Sequence, residues 1–434
     1  MKRTLYADLL AWKNSPDRKP LLLQGARQVG KTWLMEEFGK NEYSNMVTLN
    51  FEKQPELSSY FDGDISPAHI LKSLELHFGI SIEAADTLIL LDEVQESARA
   101  LNSLKYFSED APHCHIIAAG SFLGVAAHGS FPVGKVQRMT LYPLSFYEFL
   151  EATGNERYVE AIKNQDFDLI RGASKEYEKF LKLYFLVGGM PRVVAAYAAR
   201  ENLNESRTIQ NDMLADYQDD FSKHISPVNT PKVQMIWNSI PRHLSKEKKK
   251  FMYKELKAGA RAYLYEDAMN WLFNTHLVYK ILRMEGNNLP IASYADESTF
   301  KLYMFDIGLF SAKSNLAMTS LLDQNDTLLG MFNGAMAEQF ALQELICAGW
   351  APYYWGREKG AAEVDFIVQW QNEIVPIEIK AGIRSKSKSL DVYRGLYHPK
   401  HAVRSTLKHF GITDNLYSLP LYLMGSLGSL LNHG

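Results

Sequence analysis

The chain has 434 residues, room for two to four domains at roughly 100–200 residues each. Hydrophobic residues at 46% and charged residues at 22% exclude a disordered or collagen-like chain. Two cysteines, Cys114 and Cys347, exclude a disulfide scaffold and a four-cysteine zinc site. With 47 Lys and Arg against 50 Asp and Glu, the net charge of -3 excludes a polycation, so nucleic acid would have to meet basic residues gathered locally.

From the N-terminus, Met1-Lys2-Arg3-Thr4-Leu5-Tyr6-Ala7-Asp8 meets the charge of Asp8 too early for a signal-peptide core. The uncharged stretches Ile116–Gly134 and Leu416–Gly434 are broken by Gly, Ser, His and Pro, unlike a spanning helix of about 20 apolar residues. A reducing, cytoplasmic setting without a membrane is expected. The apolar run Leu21-Leu22-Leu23 then leads into Gly25-Ala26-Arg27-Gln28-Val29-Gly30-Lys31-Thr32 and a helical stretch, Trp33–Phe38. This is GxxxxGK[ST] between a buried strand and a helix. Its backbone N–H groups wrap phosphates at a helix N-terminus, Lys31 supplies a point charge, and Thr32 offers a hydroxyl to Mg2+. Gly129–Val136 has almost the same spacing, but Val136 lacks the hydroxyl and Pro132 interrupts the loop. It reads as a decoy loop, with Lys135 and Arg138 facing nucleotide, facing a neighbouring subunit, or solvated.

Met46–Phe51 reads as a second strand. Leu88–Leu91 is a central strand buried on both faces, ending in Asp92 and Glu93. Asp92 would hold Mg2+ and Glu93 would polarise the attacking water as general base. A fourth strand, His115–Ala119, ends at Ser121, which stands either as a γ-phosphate sensor or as the N-cap of a helix over Phe122–Ala126. Strand–helix alternation implies a doubly wound parallel sheet with nucleotide at the carboxyl ends of its strands.

Arg18–Thr32, Leu88–Gln95 and Leu141–Leu150 resemble the corresponding segments of prokaryotic AAA-type P-loop ATPases that carry a DUF4143 domain. The resemblance runs almost to the C-terminus. It implies an ASCE/AAA-like parallel-sheet core, a helical lid with a winged helix, and a C-terminal α/β domain. Boundaries are expected at 1–155 for the ATPase core, 156–229 for the lid, 230–305 for the winged-helix segment and 306–434 for the last domain. Gly188-Gly189-Met190-Pro191-Arg192 resembles the Gly-x-Pro element of signal-transduction ATPases, which implies Pro191 near adenine. A Gly-Gly helix cap with Pro restarting a helix is the competing reading.

Lys246, Lys248, Lys249, Lys250, Lys254 and Lys257 crowd one stretch, which reads as a solvated face or a phosphate-backbone contact of the winged helix. Tyr265–Asn274 resembles the second half of a helix-turn-helix, with Leu277–Ile281 and Phe300–Met304 as the wing.

Beyond a helix opening at Asn333–Glu338, Glu363–Val368 and Val375–Lys380 alternate at period two and read as strands. With the turn at Gln371-Asn372, Asp365 lies opposite Glu378 on the face that Lys380 shares. Two carboxylates suit Mg2+. Asp, a hairpin and Glu-x-Lys resemble the PD-(D/E)xK nuclease core, with Glu338 as the helix glutamate. The resemblance implies Asp365 and Glu378 as metal ligands and Lys380 and Glu338 as catalytic residues. The following tract, Lys380–Lys408, carries Arg384, Lys386, Lys388, Arg394, Lys400 and Arg404 against the single acid Asp391. The expectation is an ATP- and Mg2+-dependent ATPase with DNA as partner, a homo-oligomer being allowed. The alternative is a signalling switch or scaffold of the STAND type whose nuclease-like fold only binds.

Overall fold

A short strand that is apolar on both faces is stable only between helices, and the N-terminal half is built from such strands. The computed structural model describes residues 1–83, 85–121, 132, 134–318, 330–357, 362–380 and 387–432. They fall into two units, Lys2–Tyr142 with Asn274–Leu277, and Pro143–Phe273 with Val278–Gly434.

In the first unit, strands β1 (Leu21–Gln24), β2 (Asn45–Asn50), β3 (Thr87–Asp92), β4 (His115–Ala119) and β5 (Gln137–Thr140) form one sheet in the order β2-β3-β4-β1-β5. Every neighbouring pair is parallel. Helices α1 (Leu5–Lys13), α2 (Lys31–Glu42), α3 (Pro67–Phe78) and α4 (Ala98–Asp110) accompany it. Because strand residues alternate between faces, Leu22, Val47, Leu49, Ile89, Leu91, Ile116 and Ala118 share one core with Leu101, Leu104 and Phe107 of α4. Each such apolar side chain contributes about 1.5–3 kcal/mol on burial. The strand order places the ends of β1 and β3 on either side of β4, so the turns after them converge.

In the second unit, helices α5 (Phe146–Ala152), α6 (Glu156–Lys163), α7 (Phe167–Gly172), α8 (Ser174–Val187), α9 (Pro191–Arg200), α10 (Leu203–His224), α11 (Thr230–Leu244) and α12 (Glu266–Asn274) precede a mixed sheet. Its strands are β6 (Val278–Met284), β7 (Ala295–Met304), β8 (Tyr353–Gly356), β9 (Glu363–Trp370), β10 (Glu373–Ile379), β11 (Ala402–Thr406), β12 (Gly411–Thr413) and β13 (Leu416–Pro420). The order is β12-β13-β11-β10-β9-β8-β6-β7. β6 and β7, which contain the two expected wing segments except for Leu277, pair with each other and form one end of this sheet. Among the described residues four further α-helices, α13 (Ile307–Lys313), α14 (Gly330–Cys347), α15 (Lys388–Tyr397) and α16 (Leu427–Leu431), follow β7, and Leu390 and Tyr393 of α15 pack on Trp355, Ile367 and Ile374. No helix among the described residues is long and apolar enough to cross a membrane.

Candidate functional site

The turn between β1 and α2 is shaped by backbone that most residues avoid. Gly25 has φ 144°, and a Cβ there would lie 2.2 Å from the carbonyl oxygen of Leu141. Gly30, with φ 94°, is the last residue before α2, so Lys31 and Thr32 open the helix.

Lys31 is only 5% exposed. Its ammonium donates to the carbonyl oxygens of Gly25 (3.0 Å) and Ala26 (2.9 Å) and to Ser121 Oγ (2.9 Å). All three acceptors are neutral. Burial pushes Lys31 down to about 8, against the pull of Glu93 and Asp92. Thr32 Oγ1 donates to Asp92 Oδ2 at 2.8 Å, and Asn50 Nδ2 donates to the same oxygen at 2.9 Å. Asp92 Oδ1 accepts the Glu93 N–H at 3.1 Å. Glu93 sits in left-handed backbone, φ 50°, and Gln95 Nε2 donates to its Oε2 at 2.7 Å. Burial raises the Glu93 carboxyl, with Gln95 and Lys31 opposing. A hydroxyl and a carboxylate already in contact form an all-oxygen donor set that fits a hard divalent cation.

The structure therefore brings together Gly25, Ala26, Lys31, Thr32, Asp92 and Ser121. Arg27 instead points to Glu52 at 3.4 Å, and Val29 is buried with its carbonyl taken by Arg3 Nη1 at 3.1 Å. Gln28 holds left-handed backbone, φ 66°. The helix expected over Phe122–Ala126 lies outside the described residues, as does half of the decoy loop. Its Lys135 pairs with Glu109 at 2.9 Å.

Two residues here escaped the sequence reading. Asn50 ends β2 directly opposite Asp92, so the parallel register delivers its amide. That signal was available once β2 and β3 were taken as neighbours. His276 belongs to the short Asn274–Leu277 segment that packs with this unit. Burial, and then the charge of Lys31, push its imidazole down to about 4, so it is neutral at pH 7. Nothing local in the sequence marks it.

Pro191 belongs to the other unit, as the first residue of α9. The preceding glycines serve close packing there. Gly189 N donates to Asp306 Oδ2 and its carbonyl accepts from Leu144 N, both at 2.7 Å. A Cβ on Gly189 would sit 2.1 Å from the Leu144 oxygen. The Pro-Leu-Ser-Phe segment caps a helix: Ser145 and Glu148 form a capping box on α5, and Glu344 Oε1 accepts the Phe146 N–H at 2.9 Å.

The second unit gathers the remaining candidates. β9 and β10 pair antiparallel with Glu373 opposite Trp370 and Ile377 opposite Phe366, so the turn is at Gln371 and Asn372. One step further sets Asp365 opposite Glu378. Asp365 Oδ2 accepts the Ile379 N–H at 2.8 Å. Glu378 Oε1 pairs with Lys380 at 2.6 Å. Glu338, from α14, accepts Tyr303 Oη–H at 3.2 Å and bonds Lys249. Lys301, inside β7, is fully buried and pairs with Glu363 at 2.6 Å. Burial, then the charges of Glu338 and Glu378, hold the Asp365 carboxyl well above its ordinary range. Burial opposes the charge on Glu338, but Lys249 and Lys301 outweigh it and hold that carboxyl low. Lysines and backbone thus take up these carboxylates except for Glu378 Oε2, and among the described residues no three His, Cys, Asp or Glu side chains stand as a metal site.

In the basic tract, Arg394 bonds Asn415, and His401 bonds Glu373. Lys388 and Lys400 are exposed. Arg384 and Lys386 lie outside the described residues.

Residues 17–150 match the family model of an AAA domain, and residues 333–424 match a domain of unknown function, DUF4143. Residues 178–320 match a further domain of unknown function, DUF8612. Among solved structures, the chain is similar to the Walker-type ATPase PabY2304 of Pyrococcus abyssi, at 14% identity over 72% of this chain and 95% of that one, TM-score 0.46. It is also similar to the RuvB Holliday junction branch migration motor of Thermotoga maritima (15%, 64% and 87%, TM-score 0.29). A third similarity is to Aeropyrum pernix ORC1 in complex with DNA (10%, 74% and 95%, TM-score 0.30). No curated protein matches the chain.

Proposed function

From a chain that carries an AAA-type P-loop domain followed by a DUF4143 domain, we propose an ATPase coupled to a nuclease-like, DNA-interacting C-terminal domain. The observation that carries the reading is the buried Lys31 ammonium, held on neutral oxygens beside the Thr32–Asp92 pair. A buried cation without a bonded anion is completed by a polyphosphate. In this reading the Gly25–Thr32 backbone cradles the phosphates, and Thr32 and Asp92 hold Mg2+. Bound Mg2+ supplies charge neutralisation at the β- and γ-phosphates. Glu93, raised by burial and oriented by Gln95, takes the proton of the attacking water. Ser121 bonds the γ-phosphate side, and Pro191 and the 156–229 helices act as the lid.

For the C-terminal domain, the reading assigns Asp365 and Glu378 to a metal ion and Lys380 and Glu338 to phosphodiester hydrolysis, with DNA held by the exposed lysines. A second reading, a switch or scaffold with an inactive nuclease-like fold, is favoured by one observation: lysines already fill the carboxylate cluster. A cleavage assay on single-stranded, duplex and branched DNA with Mg2+ separates the two. The first expects cutting by wild type that Lys380→Ala abolishes while ATP binding survives. The second expects no cutting on any DNA and an ATP-dependent change in oligomeric mass.

A further inference from the structure

The lysine-rich stretch between α11 and α12 does not end as a solvated helix face. Residues 245–252 form neither helix nor strand. The stretch is tied down around one residue. Lys246 reaches Glu255 at 2.5 Å, and Lys250 donates to Thr299 Oγ1 at 3.2 Å. Phe251 N donates to the Phe300 carbonyl at 2.8 Å, and the two rings stack 5.5 Å apart. Between these ties Lys249 turns inward, its side chain 14% exposed, and its ammonium bonds Glu338 Oε1. Glu378, 4% exposed, places one oxygen on Lys380, while its Oε2 is buried with no hydrogen-bond partner. A buried carboxylate oxygen left unpaired is a place for a cation.

We infer that Lys249 is the resident cation of the Glu338–Asp365–Glu378 cluster and competes with a divalent metal ion for it, so that a metal enters only when the 245–252 segment withdraws. The inference rests on the nuclease-like reading of this cluster. The three lysines here differ in how they are anchored. Lys301 lies within β7, and the Lys380 N–H is bonded to the Ser405 carbonyl at 2.8 Å. The backbone of both is thus rooted in the sheet. Lys249 sits on irregular backbone, so withdrawal of the 245–252 segment breaks its ion pair and the Lys246–Glu255, Lys250–Thr299 and Phe251–Phe300 contacts but leaves the β6–β7 pairing whole. An ammonium on Glu338 and a divalent ion on the same carboxylates repel each other at contact distance, so each weakens the binding of the other.

The test is Mn2+ binding to the full chain without nucleotide, followed by electron paramagnetic resonance and by thermal melting. Lys249→Met should bind Mn2+ at least about tenfold tighter than wild type, because a buried carboxylate is left without its partner. The ion should raise its melting temperature and leave wild type unmoved. Lys249→Arg should behave as wild type, as should Lys250→Met. The gained site should vanish when Asp365→Asn is added. Should Lys249→Met not fold, Lys249→Gln, which keeps a donor to Glu338, carries the same comparison. Equal Mn2+ affinity in wild type and variant overturns the inference and leaves the metal-site reading standing. Binding by neither overturns both.

Discussion

Lys31, buried, and Lys249, turned inward and half-buried, stand in opposite situations. Lys31 has three neutral oxygens and no bonded carboxylate, whereas Lys249 is bonded to the carboxylate of Glu338. The first is a cation without its anion, and burial has already pushed it down to about 8. The second is half of a finished ion pair. An anionic ligand therefore completes the nucleotide site, while a cation at Glu338 has to displace the Lys249 ammonium. A site's readiness is set by what its charges already touch rather than by the residue types alone.

The largest effect is expected from Lys31→Ala, which removes the ammonium that the phosphate turn holds. ATP affinity should fall at least about a hundredfold, since a charge-assisted bond set is lost. Titration calorimetry that finds normal binding would sink the assignment. Glu93→Gln should leave ATP affinity nearly unchanged and lower phosphate release about a hundredfold, the typical share of a general base. Equal losses in binding and turnover would make Glu93 structural instead.

A milder probe is pH. Since Lys31 titrates near 8 in the free protein, its protonated fraction falls above that pH, and ATP should bind about tenfold more weakly at pH 9 than at pH 7. A flat profile would mean that the lysine is charged regardless of ligand.

The smallest effect comes from a buried acid on α14. Burial raises Glu344 to about 8, the Phe146 N–H opposes, and Glu148 adds to the rise. Its folded value exceeds its unfolded value of 4.5, so the stabilising protonated form is fully present below about 4.5 and lost as pH rises through 8. Thermal melts should drop by a few degrees between pH 6 and pH 9, on the order of 2 kcal/mol, and Glu344→Gln should flatten that slope. An unchanged slope in the variant would show that Glu344 ionises without consequence.

Much of the nucleotide site was legible in the chain. Leu21–Leu23, Gly25–Thr32 and the apolar run into Asp92 are signals a few residues long, and the strands, turn and helix form where they point. The β9–β10 register was legible too, because period-two alternation and a two-residue turn leave one pairing that buries Phe366, Val368, Val375 and Ile377 together. Asn50 required the strand order, and His276 required the path of a segment that follows α12.

By itself, the sequence determined the parallel nucleotide core, the phosphate turn and the hairpin carrying Asp365 and Glu378, because short-range sterics and periodicity dictate them. Only the tertiary structure decided that the lysine run delivers Lys249 to Glu338, 89 residues away. It also decided that Gly189 packs on Leu144 and that Glu344 caps α5. These contacts depend on which surfaces the chain folds together, and no local propensity encodes the partner of a side chain so distant along the chain.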